Sequence, residues 1–170
     1  QHCSATPAYG SIPPLSSLIT QARAFMSDSN PLLLDKQLCF SLYATSLAMT
    51  QVYKPLLEPL GLTYPQYLVL LILWEQDGLG LKDIAARLGQ KPGALTPVIK
   101  RMEAEGLISR SRSSADERLL EIRLSEHGRS LREKALQVNA CAASHCNAAI
   151  PELMDLKERL DVLRRALQGE

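Results

Sequence analysis

Apolar residues along this chain fall into runs whose spacing changes from helical to extended and back, and that change outlines the architecture. From Leu32 to about Leu57, Leu38, Leu42, Met49, Val52 and Leu56 recur at helical spacing, which predicts a long first helix, disturbed near Pro55 and ended around Pro59-Leu60-Gly61. Thr63 can cap the next helix, with Pro65 in its first turn. The nearly all-apolar stretch from Leu68 to Trp74 makes this second helix the central core element, running to about Gln76. Asp77-Gly78 breaks it. Leu81, Ile84, Ala85 and Leu88 then fit the i, i+3, i+4, i+7 template in a short helix stopped at Gly89. Leu95, Val98, Ile99 and Met102 repeat that template up to Gly106, so two short helices meet across a tight turn, as a helix-turn-helix requires.

After Gly106 the pattern shortens to β-like runs, Leu107 to Arg112 and Leu119 to Leu124, on either side of the polar turn Ser113-Ser114-Ala115-Asp116-Glu117. That is a hairpin with a charged tip. Ser125 and Gly128, with periodic Leu131, Ala135 and Val138, begin a long helix to about Ala148, and Pro151 opens a last one carrying Leu153, Leu156, Leu160 and Leu163. The predicted fold is mainly α with a small β-hairpin wing. A winged helix-turn-helix covers about residues 65–125, most clearly Leu81 to Ser125, between helical regions at 32–60 and 126–168. Residues 1–30, with Pro7, Pro13, Pro14 and several serines, read as a loosely ordered arm ahead of a single domain over 31–170, and Met26-Ser27-Asp28 reads as a potential natural start.

Composition agrees with that outline. A chain of 170 residues is the size of one ordinary domain, and 46% hydrophobic against 5% aromatic residues favours helices over a sandwich or barrel. The net charge of +1 carries no global argument for nucleic acid, so any basic face must be local. Between Lys82 and Arg129 ten Lys/Arg stand against seven Asp/Glu, an excess that coincides with the helix pair and the hairpin. The longest apolar run, Tyr67 to Trp74, is far too short to span a bilayer, and the first 25 residues lack the pattern of a secretory signal, so the expectation is a cytoplasmic protein with no membrane partner. Four cysteines, Cys3, Cys39, Cys141 and Cys146, without CxxC spacing suit a reducing compartment, where they are packed or reactive rather than structural disulfides. No cofactor is implied.

A second helix that enters the major groove needs an apolar face toward the core and short polar or basic residues outward. Thr96, Lys100 and Arg101 lie away from the Leu95/Val98/Ile99/Met102 stripe and are the candidate base readers. The hairpin carries Arg118 at its tip, with Arg110, Arg112 and Arg123 on its strands, and such a wing can place an arginine in the negative minor groove. A solvated charged hairpin would look the same in isolation; coming directly after the helix pair, it reads as a wing.

The helix pair, Lys100-Arg101-Met102-Glu103 leading to Glu105-Gly106-Leu107-Ile108, and Asp116-Glu117-Arg118 followed by Leu124-Ser125 and Gly128 together resemble the MarR family of winged-helix repressors, over roughly Leu34 to Leu167. The resemblance implies a homodimer joined through its first and last helices, a double-stranded DNA operator as partner, and a wing arginine, here Arg118, oriented by Asp116. Pro97 departs from the pattern: inside a recognition helix it deletes a backbone bond and costs about 3 kcal/mol unless the helix starts late or bends. Lys91-Pro92-Gly93 is also unlike the Asp-Ser-Gly that relatives carry there.

A candidate control element lies outside the DNA reader. Cys39 and Tyr43 share a face of the first helix, and Tyr53 lies almost four turns further along on nearly that face. At about 1.5 Å rise per residue, Cys39 and Tyr53 of one chain are about 21 Å apart on a straight helix and cannot touch. If the first helices of two protomers pair antiparallel, Cys39 of one can meet Tyr53 and Tyr64 of the other. Two phenol donors converging on one sulfur would hold it as thiolate, the form that attacks a peroxide. Within Leu34-Asp35-Lys36-Gln37-Leu38-Cys39-Phe40 and Leu60-Gly61-Leu62-Thr63-Tyr64-Pro65-Gln66-Tyr67, this set closely resembles the OhrR branch of organic-hydroperoxide sensors.

That resemblance implies oxidation of Cys39 to a sulfenic acid, a disulfide with a second cysteine of the partner subunit, and release of DNA. Cys146 and Cys141 are the candidates for the second cysteine, with Cys146 preferred because it is nearer the break before Pro151. Three alternatives remain open from the residues. They are a small buried cysteine with no redox role, a repressor relieved by a small aromatic ligand, and a thiol peroxidase, which lacks an evident Thr/Arg pair around Cys39. Cys141, His145 and Cys146 offer too few well-spaced ligands for a metal site. His127 reads as a surface or phosphate-facing residue.

Overall fold

The structure, a computed structural model, describes residues 30, 32–112 and 120–169. The proposed arm, apart from residue 30, and the wing tip therefore lie outside the described residues. Contacts divide the chain into two units at Thr45/Ser46, inside the first helix, and each unit is taken by itself.

In the first unit a 3-10 turn, Leu34–Lys36, leads into helix α1, Leu38–Leu57. The predicted start at Leu32 is thus six residues early, and Gln37 is an extended residue between the turn and the helix. Leu38, Tyr43 and Leu47 stay exposed on α1, although they are large and apolar.

The second unit is built on helix α2, Tyr64–Glu75. Thr63 caps it, its amide and hydroxyl both donating to Gln66 Oε1 at 2.8 Å, and Pro65 stands in the first turn where its missing N–H costs nothing. Tyr67, Val69, Leu70 and Leu73 are at most 1% exposed, which bears out the central-core reading. Around them pack α3 (Leu81–Arg87) and α4 (Pro92–Ala104), joined by a turn in which Gly89 takes φ 63°. Of the predicted stripes, the two helices bury Ile84 and Ala85, and Leu95, Ile99 and Met102, while Leu81, Leu88 and Val98 are half-buried.

Helix α4 neither starts late nor breaks at Pro97. Its N-cap is Lys91, with Pro92 as first residue, so Pro97 falls in the second turn and the carbonyl it leaves without an amide partner belongs to exposed Gly93. Gly93 is exposed, so water satisfies that carbonyl and the helix runs on through the proline.

The hairpin strands are β2 (Ile108–Arg112) and β3 (Leu120–Leu124), antiparallel with Ile108 opposite Leu124 and Arg112 opposite Leu120. A two-residue strand, β1 (Leu79–Gly80), pairs with the other edge of β3 and makes a three-stranded sheet in the order β1-β3-β2. The sequence pattern did not predict β1, because two residues carry no periodicity.

Helix α5, Glu126–Ser144, starts at Ser125, whose Oγ accepts from the Gly128 amide and donates to the Gly106 and Leu107 carbonyls. Helix α6, Ile150–Gln168, buries none of its residues. Helix α5 stops four residues before the predicted end at Ala148, and Asn147 takes a left-handed φ of 47° in the turn that follows. Among the described residues no single helix is long and apolar enough to cross a membrane.

Candidate DNA-binding and redox site

The three proposed base readers all lie on α4. Lys100 and Arg101 are exposed, and Thr96 is half-buried with its hydroxyl turned back onto the Pro92 carbonyl at 3.0 Å. Arg101 Nε is held by Glu105 Oε1 at 2.9 Å, one turn on. On β2, Arg112 is exposed, whereas the Arg110 guanidinium is committed to Glu103 of α4 through both Nε and Nη2. Its hydrogen bond to Arg110, opposed by the modest loss of solvent, holds the Glu103 carboxyl below the usual glutamate range. Arg110 thus links the helix to the wing strand rather than standing free. Asp116 and Arg118 lie outside the described residues.

The base of the wing is tied to the core helix at one carboxylate. Asp77 Oδ1 accepts the amides of Gly78 and Leu124 at 2.9 and 2.8 Å, and Oδ2 pairs with Arg129 at 2.6 Å. Burial pushes this carboxyl up, but the Leu124 amide, the Arg129 guanidinium and the Gly78 amide together outweigh it and hold Asp77 below the usual range. Trp74, one turn back, donates from Nε1 to the Gly128 carbonyl at 3.0 Å. The C-terminal end of α2 therefore grips both the last residue of β3 and the first turn of α5. The sequence reading saw Asp77 only as a helix break; a side chain that pairs with partners some fifty positions away leaves no local signal.

Of the three tyrosines proposed for the redox site, Tyr53 and Tyr64 lie together. Tyr53 of α1 lies with its ring centroid 4.9 Å from Tyr64 and 5.7 Å from Tyr67 of α2, and Tyr67 meets Trp74 edge-on at 6.4 Å. Burial first, and then the neighbouring Tyr67, Tyr64 and Cys146, push the Tyr53 phenol above its ordinary value, and burial does the same for Tyr64. Both remain protonated donors at neutral pH. Cys39 is exposed on the first turn of α1 and Tyr43 is exposed one turn on.

The two later cysteines differ. Cys141 is exposed on the last turns of α5, and its carbonyl is used by Ser144 Oγ and His145 Nδ1. Cys146 lies beyond the helix end, so the expectation that both share one helix is corrected; its half-buried thiol points to the Ala142 carbonyl at 3.7 Å. A groove of 510 Å³ is lined by both Cys146 and Tyr53, with Met49, Leu153 and Leu160 along it. Among the described residues no cluster of His, Cys, Asp or Glu could hold a metal ion.

A helix pair followed by a two-stranded wing, to which β1 adds a third strand, and flanked along the chain by longer helices is the winged helix-turn-helix of transcriptional regulators. The MarR family description matches residues 62–120. The organic hydroperoxide resistance transcriptional regulator of Bacillus subtilis is 46% identical over 134 residues, 79% of this chain and 91% of that protein. Among solved structures, reduced AbfR bound to DNA superposes with a TM-score of 0.68 at 35% identity, covering 80% of this chain and 93% of its own. The disulfide form of AbfR from Staphylococcus epidermidis gives 0.55 at 33%, covering 90% and 97%. The chain belongs to the MarR family, and it is a transcriptional regulator rather than an enzyme.

Proposed function

We propose that this regulator is a homodimeric repressor that binds a double-stranded DNA operator and releases it when an organic hydroperoxide oxidises Cys39. The observation that carries the reading is the Tyr53/Tyr64 pair, with ring centroids 4.9 Å apart and Tyr53 on the groove that Cys146 also lines. Cys39 is exposed on α1, and the apolar side chains left uncovered on α1 and α6 are those a second copy would cover. In such a dimer a Cys39 thiolate, hydrogen-bonded by the two phenols of the partner, attacks the terminal oxygen of the hydroperoxide. The alcohol leaves and a sulfenic acid forms. The partner's second thiol then attacks that sulfur, water leaves, and a disulfide joins the subunits.

The groove supports Cys146 over Cys141 as that second thiol, because Cys146 and not Cys141 lines it together with Tyr53. The naming of the Bacillus subtilis relative for organic hydroperoxide resistance, and of an AbfR form with a disulfide, supports the same chemistry. DNA contact is assigned to Thr96, Lys100 and Arg101 of α4 and to Arg112 and Arg118 of the wing, with Asp116 orienting Arg118. A gel shift before and after cumene hydroperoxide, with mass analysis of the cysteines, tests both halves. Undiminished DNA affinity in Lys100→Ala/Arg118→Ala would remove the DNA assignment, and an unchanged peroxide response in Cys39→Ser would remove the redox one.

A second reading is favoured by a separate 460 Å³ cavity where α1 meets α2, lined by Lys54, Thr63 and Tyr64. Its size suits a small aromatic acid with its carboxylate on Lys54. Release of DNA by such an acid in Cys39→Ser would establish it.

A further inference from the structure

Gln66 is the sole polar side chain among the described residues that the fold buries, at 2% exposure, and it sits in the first turn of α2 two positions after Tyr64. Its amide orientation is settled by chemistry at both ends. The Thr63 amide can only donate, so Oε1 faces it, and the Thr63 hydroxyl donates to the same oxygen. At the other end a carboxylate can only accept, so Nε2 donates to Glu105 Oε2.

Glu105 is the C-cap of α4. A carboxylate there opposes the helix dipole, so its position calls for compensation. Arg101 Nε, on the other carboxylate oxygen at 2.9 Å, and Gln66 provide it. The hydrogen bond from Arg101, opposed by burial and aided by Gln66, keeps the Glu105 carboxyl below the usual glutamate range and therefore ionised. Four side chains thus run without a gap from the start of the helix that carries Tyr64 to an arginine on the outer face of the recognition helix. Each step has a fixed donor and acceptor, so the chain cannot slide to an equivalent arrangement when α2 shifts. It holds Arg101 in place or lets it go.

Resting on the function proposed above, we infer that the Thr63–Gln66–Glu105–Arg101 hydrogen-bond chain is the link that transmits a change at Tyr64 to Arg101 on α4, with Gln66 its positioning residue. When oxidation of the partner's Cys39 withdraws the sulfur from Tyr64, the first turn of α2 moves, Gln66 leaves Glu105, and Arg101 loses its orientation toward DNA.

The test exploits the polarity of the chain. Gln66→Glu sets two carboxylates against each other, while the exchange Gln66→Glu/Glu105→Gln restores every donor and acceptor in reversed order. In the exchange, the carboxylate now at position 66 would accept from Thr63 and from the amide now at position 105, whose oxygen would still accept from Arg101. The probe is a duplex selected from a random library by the reduced wild-type protein, and the affinity ratio between reduced and cumene hydroperoxide-treated protein is read by fluorescence anisotropy. Gln66→Met, nearly isosteric, is the second single variant, and thermal melting confirms that each variant folds.

The expected result is a fall in that ratio on the order of tenfold in both single variants, with recovery to within about threefold of wild type in the exchange. Mass analysis should show Cys39 oxidised as fast as in wild type throughout. Full coupling in Gln66→Met, or an exchange variant no better than Gln66→Glu, overturns the link while leaving the sensor standing. A wild-type protein that ignores the hydroperoxide overturns both.

Discussion

Replacing Gly128 by alanine opposes a local preference to a tertiary contact, and the two predict opposite signs. Gly128 lies in the first turn of α5, where alanine is favoured over glycine by about 1 kcal/mol. A Cβ at this position would stand 2.1 Å from the Leu107 carbonyl oxygen and 3.3 Å from Leu124 Cδ2. An ordinary carbon-oxygen contact is about 3.3 Å, so helix and carbonyl must separate by about 1 Å. Leu107 O cannot yield freely, since it accepts the Ser125 amide at 3.1 Å and the Ser125 hydroxyl at 2.9 Å. Nor can the helix, since the Gly128 carbonyl takes the Trp74 indole at 3.0 Å.

Losing two of these bonds costs about 1 kcal/mol each, and overpacking adds roughly 1–3 kcal/mol. Set against the helical gain, Gly128→Ala should destabilise by about 2–4 kcal/mol, a large part of the ~5–15 kcal/mol typical of a domain. Equilibrium urea unfolding of the reduced protein, followed by circular dichroism, should show the lower midpoint. Trp74 fluorescence should report the altered indole environment in the native baseline. An unchanged or raised midpoint would refute the reasoning, because it would mean that helix propensity alone governs this residue.

Asp77→Asn should weaken the wing base and flatten the acid limb of stability. The native carboxyl lies below its usual value, so its contribution is complete above the ordinary aspartate range and is lost as pH falls through the lowered value; urea midpoints between about pH 6 and pH 2.5 check this, and equal slopes in both proteins would contradict it. Tyrosine absorbance at 295 nm during alkaline titration should show a late fraction that is reduced in Tyr53→Phe, since burial raises that phenol. The stability that goes with its protonated form is present below the ordinary tyrosine value and is lost as pH rises through the raised one. A single transition at the ordinary value would argue against the packed Tyr53/Tyr64 pair. On non-reducing gels after hydroperoxide, the covalent dimer should disappear in Cys146→Ser and persist in Cys141→Ser; the reverse pattern would transfer the role to Cys141.

Much of the architecture was legible because burial imposes a period. Leu81, Ile84 and Ala85, then Leu95, Ile99 and Met102, mark two helix faces with no knowledge of what they pack against, and the change to short alternating runs marks the wing. The Tyr53/Tyr64 meeting was expected for a dimer site on helical phase and family resemblance, and the rings do adjoin within one protomer. Thr63 was legible as a cap, being a hydroxyl residue ahead of an apolar run. Its pairing with Gln66 and the continuation to Glu105 were not.

The sequence by itself determined the order and faces of the helices, the wing and the candidate chemistry, because those depend on spacing along one chain. Only the tertiary structure decided how that chemistry is arranged. It paired Arg110 with Glu103 and Arg101 with Glu105, added β1 to the sheet, and fastened the wing base to Asp77. It also carried Cys146 past the end of α5 into the groove that Tyr53 lines. The physical reason is that a charged or hydrogen-bonding side chain is solvated equally well by water in the unfolded chain, so its native partner is chosen by which distant groups the packed core brings within about 3 Å of it.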